Sequence, residues 1–194
     1  MLSVHSRLRA CLAALLLLAG AALTVSGASA AEEKRALDPE NTIYLELEHG
    51  RVVIAMRPDL APNHVARIKE LVRDGFYDGT PFHRVITGFM VQGGDPTGTG
   101  MGGSGQKLDA EFNSGKHVRG AVSMARAQNP DSADSQFFIV TADSNFLDGQ
   151  YTMWGEVVEG MDAVDKIKVG QPPNGIVEDP DKIVRMQMMS DAEK

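Results

Sequence analysis

The chain has 194 residues, 43% of them hydrophobic and 23% charged, with a formal net charge of −7 and a single cysteine. The acidic balance argues against nucleic acid as a partner, because a binder of phosphate backbones presents a basic face. The length suits one hydrophobic core in one domain.

The start of the chain carries targeting signals rather than fold. Arg7 and Arg9 form a short basic segment, and CLAALLLLAGAAL, Cys11 to Leu23, is an apolar run shorter than a comfortable membrane-spanning helix. Ser26-Gly27-Ala28-Ser29-Ala30 places small residues at the A-x-A positions. Residues 1–30 therefore read as a cleavable secretory signal peptide, cut after Ala30. The rival is an uncleaved membrane anchor, which the polar AEEKR, Ala31 to Arg35, disfavours. Leu8-Arg9-Ala10-Cys11 is not a lipidation site, because the apolar run follows the cysteine instead of preceding it. Cleavage removes Cys11, so the mature chain must be stable through its core, without disulfides. It also removes two arginines and no acidic residue, which takes the charge from −7 to −9. The expected compartment is the bacterial periplasm, with no membrane contact after cleavage.

Residues 31–40 are charged and small and read as a flexible leader. Ile43, Leu45 and Leu47 then alternate with Tyr44, Glu46 and Glu48, the period of a half-buried strand. A turn at His49-Gly50 returns the chain as a second strand, Val52 to Met56. Pro58 and Pro62 break the sheet, and Val65, Ile68, Leu71 and Val72 fall at helical spacing, with Gly75 as the stop. Phe82 to Ile86 and Phe89 to Gly93 read as strands, followed by a glycine-rich loop, Pro96 to Gly105. Ala121 to Ala125, Phe137 to Thr141 and Thr152 to Val157 read as strands, and Met161, Val164 and Ile167 mark a second short helix. Ile183 to Met189 alternates again and closes a domain spanning 41–190. About eight strands and two helices without βαβ alternation suggest a mainly β protein, an antiparallel barrel with helices over its ends.

Several familiar motifs fail. Gly98-Thr99-Gly100-Met101-Gly102-Gly103 fits G-x-G-x-x-G on paper, but no helical pattern opens after it, as dinucleotide binding requires. Gly105 is followed by Gln106 and Lys107, so no phosphate loop forms, and Gly102-Gly103-Ser104-Gly105-Gln106 misses the hydrolase elbow at its last position. His49, His64, His83 and His117 match no metal-ligand spacing and read as surface or hydrogen-bonded core residues. No metal and no cofactor is expected.

Three segments instead place an apolar side chain beside a polar one at strand ends. They are FHRVITGFMVQGGD (Phe82 to Asp95), SMARAQNPDSADSQFFIVT (Ser123 to Thr141) and FLDGQYTMWGEV (Phe146 to Val157). FHR, GFM-x-QGGD, SMA, SQFFI and LDG, in this order, resemble the cyclophilin family of peptidyl-prolyl cis–trans isomerases over about residues 41–190. The resemblance implies a closed eight-stranded antiparallel β-barrel capped by two α-helices, with the active site on the outer surface. It implies that Arg84 is the catalytic arginine, Phe89 and Met90 line the pocket and Gln92 orients substrate; Arg84, Gln92 and Phe89 form the catalytic set. Ala125 and Ala127 match rim alanines. Arg126 stands where many relatives have asparagine, a position used through its backbone, so the change should be tolerated. Gln136 and Phe138 match the SQFF glutamine and the deep pocket phenylalanine, and Leu147 matches the pocket leucine. Phe146 stands where eukaryotic members carry tryptophan, and Tyr151 where they carry histidine. Phe146 lacks the ring N–H that anchors cyclosporin in the family, so weak cyclosporin binding is expected.

The implied reaction suits these residue types. Rotation about a peptide bond meets a barrier of roughly 18–20 kcal/mol, and no bond is made or broken. A guanidinium aimed at the proline nitrogen can donate to the lone pair that appears only in the twisted state. The expected partners are proline-containing unfolded or partly folded polypeptides, served by a monomer. The alternative is a non-catalytic module that holds proline segments on the same fold. Taken singly, Phe89 and Phe138 would be core residues and Arg84 a surface charge; only the joint pattern makes a site of them.

Overall fold

A computed structural model of the chain describes residues 37–192. The expected signal peptide, and the leader as far as residue 36, lie outside the described residues. The end of that leader is built into the fold. Asp38 caps a 3-10 turn, Pro39–Asn41, and Glu40 pairs with Arg73 at 2.8 Å.

Eight strands follow: β1 (Thr42–Leu47), β2 (Gly50–Met56), β3 (Arg84–Ile86), β4 (Met90–Gly93), β5 (Ala121–Met124), β6 (Phe137–Val140), β7 (Met153–Glu159) and β8 (Arg185–Met188). All pair antiparallel in one sheet of order β3-β4-β6-β5-β7-β2-β1-β8. The β1–β2 turn is Glu48-His49, one residue earlier than the sequence suggested, because Gly50 already pairs with Leu47. Bulges between Val53 and Ile54 and between Val122 and Ser123 add the local twist that curls the sheet. The ladder does not close: β3 and β8 are the sheet edges. Only isolated contacts cross the seam, such as the Pro81–Lys182 bridge and Phe82 N–H on Asp181 O at 2.9 Å. The expectation of eight curled antiparallel strands is met; the paired wall is an open half-barrel.

Strand alternation splits the apolar residues into two clusters. Val91, Phe137, Ile139 and Trp154 point inward with Ile43, Leu45, Ile54 and Phe82. Their neighbours Met90, Phe138, Val140 and Met153 point outward into a second cluster with Ala121 and Leu147. The two-residue period of the strands thus builds a second apolar face outside the barrel core.

Helix α1 (Pro62–Arg73) buries Val65, Ile68, Leu71 and Val72 as their spacing predicted; each such side chain contributes about 1.5–3 kcal/mol. Proline stands at its first position, where a missing N–H costs nothing. The next amides, Asn63 and His64, donate to the Glu111 carboxylate at 3.0 and 2.9 Å. Phe76 N–H closes on Leu71 O at 3.0 Å around Gly75, whose φ is 67°. The second helix is one turn, α2 (Met161–Val164), and a further turn, α3 (Met189–Ala192), follows β8 and takes in Met189, the last residue expected to be strand.

Candidate active site

The outward cluster floors a cavity of about 230 Å³ lined by Arg84, Phe89, Met90, Gln92, Ala125, Arg126, Phe138, Phe146, Leu147 and Tyr151. The floor is deeply buried, with Met90 2%, Phe138 5% and Leu147 6% exposed. Phe138 is held from two sides. Tyr151 meets it edge-on at 5.6 Å between centroids, and the His117 ring stacks behind it at 6.3 Å. His117 is itself fixed, with Nδ1 3.1 Å from Asp148 Oδ1 and Nε2 2.9 Å from the buried Ser123 Oγ. At the rim, Phe146 is 66% exposed and lies 5.5 Å from the Phe89 ring.

Arg84 and Gln92 are cross-strand partners in β3 and β4. Arg84 Nη1 donates to Gln92 Oε1 at 3.1 Å, and Arg84 Nε donates to the carbonyl of Asn174 at 3.0 Å. Gln92 Nε2 donates to Gln136 Oε1 at 2.9 Å, and Gln136 Nε2 donates to the carbonyls of Gly100 and Gly102 at 3.0 and 2.8 Å. A polar chain thus runs from the guanidinium to the glycine-rich loop. Its two anchors leave one N–H of Nη1 and both of Nη2 without a bond among the described residues.

The loop is held as firmly as the glutamines. Asp95 is fully buried, and its carboxylate accepts from the amides of Thr97, Gly100 and Gly102 at 2.8, 2.7 and 3.1 Å and from the Thr97 hydroxyl at 2.7 Å. Burial pushes this carboxyl upward, but the Thr97 hydroxyl and the three amides outweigh it and hold the pKa down at about 2. Asp134 accepts from Ser104 N–H and Gly105 N–H at 2.6 and 3.1 Å. Glycine is required where these approaches are closest: a Cβ at Gly102 would run into the Asp95 carboxylate, and one at Gly94 (φ 83°) would lie 2.6 Å from Ser135 O.

Of the residues singled out in the sequence, ten converge on this cavity. Ala127 and Gln136 line a neighbouring cavity of about 320 Å³, which shares Gln92, Ala125 and Arg126 with the first. Gln136 spends its oxygen and its Nε2 within the polar chain, so it supports Gln92 instead of facing outward as a free hydrogen-bonding group. Arg126 is no bystander: it donates to the carbonyls of Gln150, Ala127 and Gln128 and lies 4.7 Å from the Tyr151 ring centre. The sequence reading missed Asp95, Asp134 and Asp148; His117, read there as a surface or hydrogen-bonded core residue, is the latter. The Asp of QGGD and the Asp of LDG were visible within the motifs, but their partners are backbone amides and a histidine that no spacing reveals. His64 pairs with Glu111 and His49 with Asp181, at 2.6 and 3.4 Å, while His83 is buried without a partner among the described residues.

The half-barrel and the sequence that builds it match one class of protein among those compared. The family model described as "Cyclophilin type peptidyl-prolyl cis-trans isomerase/CLD" covers residues 42–188. The chain belongs to this family. It is 51% identical over 187 residues to a protein of Brucella suis named "Probable peptidyl-prolyl cis-trans isomerase", covering 90% of this chain and 95% of that one. A Helicobacter pylori protein named "Peptidyl-prolyl cis-trans isomerase" is 40% identical over 137 residues, 69% of this chain and 83% of its own length. Among solved structures, a cyclophilin from Hirschia baltica superposes with a TM-score of 0.71 at 34% identity, covering 80% of this chain and 76% of that chain. A Cryptosporidium parvum cyclophilin-type isomerase, crystallised in the presence of the dipeptide Ala-Pro, gives 0.71 at 29% identity, with 76% and 98% covered.

Proposed function

We propose that this protein catalyses cis–trans rotation about X–Pro bonds in client polypeptides, with Arg84 as the catalytic cation. The observation that carries the reading is the tethered guanidinium beside the apolar slot. A proline ring seated against Phe89, Met90, Phe138 and Leu147 would leave its nitrogen within reach of the free N–H groups of Arg84. As the bond twists, that nitrogen regains a lone pair and becomes an acceptor, so the hydrogen bond strengthens only on the way to the transition state. Exclusion of water by the slot strengthens the electrostatic interaction further. A 10⁵-fold acceleration needs about 7 kcal/mol, of which one preorganised donor supplies about 3–4; slot binding and orientation supply the rest. The second N–H of Gln92 is free to hold a substrate carbonyl while the far side of the bond turns. Ala125, Ala127, Arg126, Phe146 and Tyr151 border the path of the flanking chain, and Gln136 acts by positioning Gln92.

Contacts such as Val85 N–H on Gly175 O at 2.7 Å favour reading the seam as a barrel closed through irregular segments. The A-x-A signal favours export to the periplasm after cleavage behind Ala30, and the intact mass of the periplasmic protein tests that. The enzymatic reading is tested by NMR exchange on an Ala-Pro peptide. Accelerated exchange is expected; peptide binding without acceleration would leave only the holding module.

A further inference from the structure

The cavity has a second cation with no carboxylate partner among the described residues. Arg84 and Arg126 both line it, and no aspartate or glutamate does. The bonds on Arg126 run to backbone carbonyls: Nε and Nη2 to Gln150 O at 3.2 and 2.9 Å, and Nη1 to Ala127 O and Gln128 O at 2.9 and 3.2 Å. Carbonyls orient a guanidinium without neutralising it, and one N–H on Nη2 is left over. The aromatic faces of Tyr151 and Phe112, 4.7 and 5.8 Å from the guanidinium carbon, complete its setting. Arg126 also borders the neighbouring cavity, where Lys107 is already matched by Asp134 at 3.5 Å. An unneutralised, immobilised charge therefore stands between the proline slot and the next stretch of groove, on a protein whose net charge is −7.

Resting on the isomerase reading, we propose that Arg126 is a specificity-determining residue and that the preferred substrates carry a carboxylate within two residues of the proline. A carboxylate meeting the spare N–H of Arg126 gains a charge-assisted hydrogen bond, and the side chain is already ordered, so little entropy is lost in forming it. A lysine or arginine at the same place meets like charge.

The test compares peptides identical save for Glu or Gln at one position, one or two residues before or after the proline, by NMR exchange with the wild-type protein. At low ionic strength the Glu peptide is expected to exceed its Gln partner about three- to fivefold in kcat/KM at one position or more. The ratio should shrink at high salt, fall toward one in Arg126→Gln and persist in Arg126→Lys. A ratio of one or less at every position in the wild type, or one unchanged in folded R126Q, overturns the proposal. Turnover of the Gln peptides tests the isomerase reading separately. Were they not turned over, the same Glu/Gln ratio read as binding affinity by titration would still decide the charge preference.

Discussion

Arg84 and Gln92 sit opposite each other in the β3–β4 ladder, and their side chains meet above it, guanidinium to amide oxygen at 3.1 Å. The same glutamine leans on Gln136, and Gln136 on the carbonyls of a loop pinned by a buried carboxylate. Through Gln92, the direction of the guanidinium is therefore set by Gln136 and by loop carbonyls that do not line the proline slot.

Gln136→Ala tests that chain. Removing it frees the amide of Gln92 and, through it, Arg84. We expect kcat to fall about tenfold, equivalent to about 1.4 kcal/mol of lost orientation, with a smaller change in KM. The Nε–H resonance of Arg84 should broaden in the same variant. An unchanged kcat with a sharp Arg84 signal would reduce Gln136 to packing.

Asp95 makes stability depend on acid. Its folded pKa is about 2 against an ordinary value of 3.8, so the unfolded chain takes up the proton more readily. The stabilisation is fully present above about pH 4 and is lost as pH falls toward 2. Asp148, also lowered to about 2 by the His117 amide first and then the Lys116 ammonium, adds to the same window with the same sign. Urea unfolding measured from pH 5 to 2 should show midpoints dropping across that window. Asp95→Asn should be less stable at pH 7 and show a shallower acid slope, with the share of Asp148 left. An acid slope identical to wild type would remove Asp95 from this role.

Much of this was legible beforehand because the strands are short and their side chains follow a two-residue period. Met90 and Val91, or Phe137 and Phe138, announce opposite faces by position alone, and the motifs placed Arg84, Phe89, Gln92, Phe138 and Leu147 together. What stayed hidden depends on distance in sequence. Glu111 caps a helix that starts at Pro62, and Asp95 and Asp134 hold a loop that reads as a flexible connection because its glycines advertise only freedom. Whether the eight strands close by pairing was not legible, because a seam made by the irregular segments around Pro81 and Lys182 leaves no strand pattern to distinguish it from pairing. The setting of Arg126 also stayed hidden, because its partners are carbonyls on two loops, which sequence does not name.

Phe146 carries a prediction about an inhibitor. It is exposed at the rim and offers a ring without a donor. Cyclosporin should bind weakly, well above the nanomolar range, and Phe146→Trp should tighten it about tenfold, the value of one modest hydrogen bond of roughly 1–1.5 kcal/mol. Isothermal titration of both proteins decides it; a nanomolar constant for wild type would contradict the assignment.

The most direct measurement compares wild type and Arg84→Ala by NMR exchange on one Ala-Pro peptide, with circular dichroism and peptide titration alongside. The cation is expected to contribute 10²-fold or more to turnover, in the range of a single preorganised donor, roughly 10²–10³, while the fold stays native and peptide affinity changes little. Undiminished turnover in the folded variant would contradict the claim that a fixed guanidinium beside an apolar slot drives the rotation.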